Sequence, residues 1–249
     1  MTDLTKNESY QLAALDQEFI LGDSMRGARF MMEYAKAEEH MRARRIRSTI
    51  VVFGSARIRE DGGAWQAKTY NAARTFARIA SERGGALADR EGGRDNVIVT
   101  GGGPGIMEAA NRGAQDAGAL SIGLNISIPH EQEPNPFITP ELSFKFHYFA
   151  MRKMHFAMRA RALVVFPGGF GTLDELFELL TISQTGKAPA IPVVLYDQEF
   201  WTRIINFPAL AEMGMISPED LGLFEFVNDL EEAWERLTAR GLLERGGPD

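Results

Sequence analysis

The stretch Pro167-Gly168-Gly169-Phe170-Gly171-Thr172-Leu173-Asp174-Glu175 constrains the fold of this chain more than any other. It follows the apolar run Ala162 to Phe166 and leads into Leu176-Phe177-Glu178-Leu179-Leu180. A short Val-rich run is what a strand buried on both faces looks like, and the spacing of Leu173, Leu176, Phe177 and Leu180 is a helical stripe. The segment reads as strand, phosphate loop and helix. Gly168, Gly169 and Gly171 let the backbone turn sharply and bring bare N–H groups to a ligand, and the positive end of the helix dipole favours a phosphate there. A plainer reading exists: Thr172-x-x-Glu175 has the form of a capping box, in which hydroxyl and carboxylate satisfy free N–H groups of a first turn. A cap needs no glycine run ahead of it, and a second glycine-rich turn earlier in the chain favours the ligand reading.

That second turn belongs to a regular alternation of strands and helices. Thr49 to Phe53 reads as a strand, followed by Gly54-Ser55-Ala56 and a helix from about Trp65 to Arg83. After a surface loop over residues 84–95, the strand Asn96 to Thr100 ends in Gly101-Gly102-Gly103-Pro104-Gly105. Pro104 suits the first turn of the next helix, where its missing N–H is not needed. A strand at Leu120 to Ile128 leads into a proline-rich loop carrying His130 and Glu131, then a helix through Arg152-Lys153 to about Arg161. Beyond the central loop come a strand at Ile191 to Tyr196, a helix at Glu199 to Met213, a short strand at Phe224 to Val227 and a last helix at Leu230 to Leu242.

This order specifies an α/β fold: a Rossmann-like, doubly wound, mainly parallel sheet with helices on both faces. Residues 1–47 read as two helices forming an N-terminal helical extension, and residues 48–249 as one Rossmann-like nucleotide-binding catalytic domain. The basic run Arg42, Arg44, Arg45 and Arg47 closes the extension and reads as cations set at a helix C-terminus rather than as a nucleic-acid patch.

Composition narrows the chemistry. With 45% hydrophobic and 24% charged residues among 249, the chain is that of a soluble globular protein. A net charge of −7 gives no general pull towards nucleic acid or anionic membrane, so an anionic ligand must be held by local donors. The absence of cysteine removes disulfides, thiolate catalysis and cysteine-bound metals. His40, His130, His147 and His155 form no H-E-x-x-H or H-x-x-x-H pair, so a protein-ligated zinc is not expected, and chemistry carried by a carboxylate and water requires neither metal nor organic cofactor. No signal peptide or long apolar run is evident, which points to the cytoplasm. Ile106 breaks the dinucleotide fingerprint, and Gly186-Lys187 lacks the rest of a Walker A loop.

Both glycine loops follow strands and precede helices, so both belong to the carboxyl edge of the sheet, where open α/β sheets bind ligands. Two phosphate-type turns facing one crevice suggest a nucleotide. The candidate contacts are Ser55, Gly102, Gly103, Glu131, Lys153, Gly168, Gly169, Phe170, Gly171 and Thr172, and of the adjacent Arg152 and Lys153 only one need face the crevice. In the absence of other nucleophiles, acid–base work falls to carboxylates, with Glu175 best placed. The alternative is a protein of the same fold that holds a nucleotide or phosphate-bearing cofactor without cleaving it.

The two glycine stretches and the Arg152-Lys153 pair, fifteen residues ahead of Pro167, closely resemble the LONELY GUY (LOG) family, phosphoribohydrolases often mislabelled as lysine decarboxylases. The resemblance covers roughly residues 49–196. It implies a Rossmann-like fold and a nucleoside 5′-monophosphate substrate, such as AMP or a cytokinin riboside 5′-monophosphate. It further implies catalysis by Arg152 and Glu175, Gly168 to Thr172 on the phosphate with Thr181 nearby, and a homodimer or higher homo-oligomer. Phe149-Ala150-Met151 stands where plant-type members carry M-H-x, and Thr181-Ile182-Ser183-Gln184 where they carry T-W-x-Q, so the chain looks more like the long bacterial branch. A decarboxylase needs a lysine for pyridoxal phosphate, and none of the six lysines follows a Ser-x-His pattern.

Overall fold

In the computed structural model, residues 7–88, 90–127, 133–187 and 190–244 are described. Seven strands, β1 (Thr49–Phe53), β2 (Val97–Thr100), β3 (Ser121–Ile126), β4 (Ser143–Phe146), β5 (Ala160–Val165), β6 (Val193–Tyr196) and β7 (Glu225–Val227), form one sheet in the order β4-β3-β2-β1-β5-β6-β7. Every neighbouring pair in it is parallel. The doubly wound α/β reading holds. From β1 the chain adds strands outward to β4 on one side, then crosses to β5 on the other, so the switch point of the sheet lies between β1 and β5.

Strand residues are apolar at successive positions because both faces are covered. Ile50 and Val52 of β1 face one core, with Phe76 and Ala80 of α3 (Ala64–Arg83), Ala109 of α4 (Ile106–Asp116) and Leu237 of α9 (Leu230–Ala239). Val51 and Phe53 face the other, with Met41 of α2 (Arg26–Ala43), Phe156 of α5 (Phe149–Met158), Leu176 of α6 (Phe170–Gln184) and Trp201 of α7 (Gln198–Ile204). The N-terminal residues form a short α1 (Gln17–Leu21) and the long α2, whose Ala37 and Met41 are buried in this second core. Its Glu38 makes a buried two-pronged pair with Arg159, both contacts 2.7 Å. The basic run after it is tied down by Glu38, Glu141, Asp95 and the Glu91 carbonyl, which suits a helix end.

Four local expectations are corrected. Residues 143–146 form the edge strand β4, which the sequence did not separate from the following helix. The helix expected over 199–213 is two, α7 and α8 (Phe207–Glu212): Asn206 caps the second and Pro208 fits only its first turn, which ends the first helix. Pro104 precedes α4, which starts at Ile106 behind Gly105. Finally, α6 begins at Phe170 with Gly169 as its N-cap and no side-chain cap. Thr172 and Glu175 lie inside the helix, so the capping-box reading fails. Ile128 and the loop residues His130 and Glu131 lie outside the described residues.

Candidate active site

Three loops meet at the switch point and are stitched together by backbone. The Ser55 N–H, just past β1, donates to the Pro167 carbonyl at 3.0 Å, and the Ser55 carbonyl accepts from the Ile106 N–H at 3.1 Å. The close fit requires glycine at position 105, where φ is +72° and a Cβ would collide with the Ser55 carbonyl oxygen. Behind this seam a buried amide locks the other glycine loop: Asn135 Nδ2 donates to the carbonyls of Gly102 at 3.1 Å and Gly103 at 3.0 Å, and to Asn111 Oδ1 at 3.0 Å.

The cleft above the seam measures about 620 Å³ and is walled by the first turns of α6, by Ser55 and Arg57, and by Met107, Phe149 and Arg152. The N-terminal N–H groups of α6 have no intrahelical acceptor and no side-chain cap, so they are free for an anion. Arg152 comes from α5. Its Nε donates to the Leu124 carbonyl at 2.7 Å, and its guanidinium lies over the Phe156 ring, 5.3 Å from the centroid. Gly101 lies flat against the same group: a Cβ at that position would come within 2.5 Å of Arg152 Nη2. From there Nη1 sits 3.8 Å from Glu175 Oε1.

Glu175 is 5% exposed. Burial pushes its carboxyl up from 4.5 to about 7, against the opposing pull of Arg152 and Lys153. Burial likewise lowers the Arg152 pKa, opposed by Glu175 and Asp174. A carboxyl that changes charge near neutrality, beside a desolvated guanidinium on a cleft wall, is equipped for acid–base chemistry and for stabilising a developing positive charge. Among the described residues, no group of three or more His, Cys, Asp and Glu side chains is placed to hold a metal ion. Nor is any described helix long and apolar enough to cross a membrane.

The cleft therefore brings together Ser55, Arg152, Gly169, Phe170, Gly171, Thr172 and Glu175. Gly168 sits at the turn just before, where its bare Cα lets the Thr172 side chain pack against it. Gly102 and Gly103 are buried behind the seam, not on the cleft wall. Lys153 and Thr181 line a neighbouring groove on α6 with Phe170 and Phe177. There Lys153 Nζ pairs with Asp174 at 2.8 Å and Glu178 at 2.9 Å, while Thr181 Oγ1 donates to the Phe177 carbonyl at 2.7 Å. Sequence reasoning missed Arg57, Met107, Phe149 and Asn135. Phe149 stands one helical turn before Arg152, and that periodicity was the available signal. Nothing local marks Asn135, which reaches the glycine loop across the fold.

A parallel sheet with an uncapped helix terminus and a buried Arg–Glu pair at its switch point defines an α/β protein with a cleft at the edge where such sheets bind ligands. Residues 107–237 match the family model described as "Possible lysine decarboxylase". Among curated proteins, the chain is 29% identical over 180 residues to the cytokinin riboside 5′-monophosphate phosphoribohydrolase of Mycobacterium tuberculosis, covering 69% of this chain and 92% of that one. It is 26% identical over 162 residues to the enzyme of the same name from Rhodococcoides fascians, covering 64% and 79%. With LOG3 of Arabidopsis thaliana it shares 30% identity over 127 residues, covering 49% of this chain and 57% of that one. The chain belongs to the LOG family. Solved structures share the fold: the X-ray structure of TM1055 at a TM-score of 0.54, with 18% identity over 77% of this chain and 99% of that one, and the molybdenum cofactor binding protein of Rippkaea orientalis at 0.50, with 16% identity over 78% and 95%.

Proposed function

We propose that this protein hydrolyses the N-glycosidic bond of a nucleoside 5′-monophosphate, AMP or a cytokinin riboside 5′-monophosphate, to free base and ribose 5-phosphate. The observation that carries the reading is the Glu175–Arg152 pair, 3.8 Å apart beside the uncapped, glycine-led start of α6. The family and the names of its bacterial and plant relatives support it.

In this mechanism the N–H groups of Phe170, Gly171 and Thr172 hold the 5′-phosphate, which sets the ribose over the second turn of α6. Ionised Glu175 faces the sugar, stabilises its oxocarbenium-like charge and takes a proton from the attacking water. Arg152, held by the Leu124 carbonyl in the space that Gly101 leaves for it, supports the electron pair leaving with the base. Phe149, half exposed on the cleft wall, offers an aromatic surface to the base.

The subunit is proposed to pair with a second copy. Phe170 is 92% exposed at the cleft mouth and continues into the groove with Phe177, an apolar surface that a partner subunit would cover. The test is a screen of nucleoside monophosphates with separate detection of base and ribose 5-phosphate. Release from AMP and not from adenosine supports the assignment, and equal turnover of both removes the phosphate seat from it. Light scattering at micromolar concentration reads the oligomer, and a monomer would contradict the pairing.

A further inference from the structure

Arg152 rides on α5, so whatever holds α5 sets where the guanidinium points. The N-terminus of α5 has no cap of its own, because its N-cap is Tyr148 and no side chain of the local segment accepts there. The acceptor comes instead from α2: Glu33 Oε1 takes the His147 N–H at 2.8 Å and Oε2 takes the Tyr148 N–H at 3.2 Å. A carboxylate at that end also suits the helix dipole. The same face of α2 grips α5 along its length. Arg29 Nε donates to the Tyr148 hydroxyl at 2.9 Å, and the Phe30 and Tyr148 rings meet edge to face at 4.3 Å. Further along, Tyr34 stacks on the buried His155 at 5.5 Å, and Glu38 holds Arg159 just past the end of α5. Positions 29, 30, 33, 34 and 38 form one helical stripe, so α2 docks as a unit.

We infer that Glu33 is a positioning residue for the active site: it caps α5 from the N-terminal extension and thereby sets the Arg152 guanidinium against Glu175. This rests on the hydrolase reading only where turnover is concerned. Glu33 does not line the cleft, so its effect passes through the first turn of α5. Without Glu33 the two residues that lead into α5, His147 and the N-cap Tyr148, lose their side-chain acceptor, and Arg152 lies four residues beyond Tyr148. A displacement of about 1 Å at such a group costs on the order of 10²-fold in rate when it orients reacting atoms.

The experiment compares wild-type protein with Glu33→Ala and Glu33→Gln, the latter keeping shape and one acceptor. The first readout needs no turnover: NMR titration of the labelled Glu175 side-chain carboxyl, whose charged neighbours are Arg152, Lys153, Asp174 and Glu178. If Glu33 positions Arg152, its loss moves the cation away, and the Glu175 titration shifts to higher pH, more in Glu33→Ala than in Glu33→Gln. The second readout is steady-state release of base, where kcat is expected to fall 10- to 100-fold in Glu33→Ala, with KM within about threefold because the α6 phosphate seat is untouched. A lower melting temperature with an unchanged titration and unchanged kcat per folded molecule makes Glu33 a structural cap only and overturns the inference. Wild-type protein that releases no base, with a titration that still shifts, leaves the positioning role standing and removes the hydrolase.

Discussion

Replacing Glu175 by glutamine tests whether the side chain is a buried charge kept for chemistry. The carboxyl is raised from 4.5 to about 7 chiefly by burial, so the folded protein binds its proton more tightly than the unfolded chain does. For a group raised in this way, the linked stability is fully present below pH 4.5 and is lost as pH rises through about 7. At about 1.4 kcal/mol per pH unit over that interval, the ionised carboxylate costs ~3 kcal/mol at pH 8 as an upper limit. The Glu175→Gln variant has nearly the same shape and carries no charge at any pH. Its apo form is expected to melt above wild type at pH 8, by roughly 2–4 °C for each kcal/mol recovered, and the gap should close towards pH 4.5. Turnover is expected to fall by about 10²–10⁴, since an amide neither accepts the proton of water nor stabilises an oxocarbenium-like sugar. The assay is a series of circular dichroism melts from pH 4.5 to 8 beside kcat for base release. A variant that melts below wild type at pH 8, or whose gap ignores pH, would show that the carboxylate is not held charged against its environment. Retained turnover would remove it from the mechanism.

Further expectations follow from the same geometry. In the wild type, kcat/KM for a nucleoside monophosphate should rise with pH through about 7 as Glu175 ionises, and Lys153→Ala should move that limb to higher pH, because the lysine favours the charged carboxylate. Gly105→Ala should cost about 1–3 kcal/mol in urea denaturation and depress activity, since it forces a side chain into a left-handed backbone against the Ser55 carbonyl. Glu38→Ala leaves Arg159, 9% exposed, without its buried partner, and should destabilise by about 3–5 kcal/mol. A smaller loss in that last case would mean that water or a neighbour replaces the carboxylate.

The chain order of strands and helices, the parallel sheet and the two glycine turns at its carboxyl edge were legible in the sequence, because a buried parallel strand, a turn and an amphipathic helix each leave a local pattern. Arg152 and Glu175 both line the cleft, but Arg152 was marked only by the resemblance to the LOG motifs, since beside Lys153 nothing local says which of the two faces inward. Boundaries set by competition between neighbouring segments were not legible. The capping box at Thr172 is a local pattern that tertiary structure overrode, since α6 starts two residues earlier at Phe170. Strand β4 is four residues long and depends on pairing with β3, which no local spacing reports.

What only the tertiary structure decided is which of the marked residues share one space and what that space does to them. Lys153 lies about 100° around α5 from Arg152, and Thr181 lies on another side of α6 from Glu175, so both open onto a neighbouring groove while Arg152 and Glu175 face the cleft. The raised pKa of Glu175 is likewise a property of packing: desolvation sums over every atom that displaces water, and those atoms come from segments far apart in the chain. The grip of α2 on α5, through Glu33 and Glu38, depends on contacts more than a hundred residues apart. Local chemistry determined the elements and their order, and long-range docking determined which charges meet in the cleft.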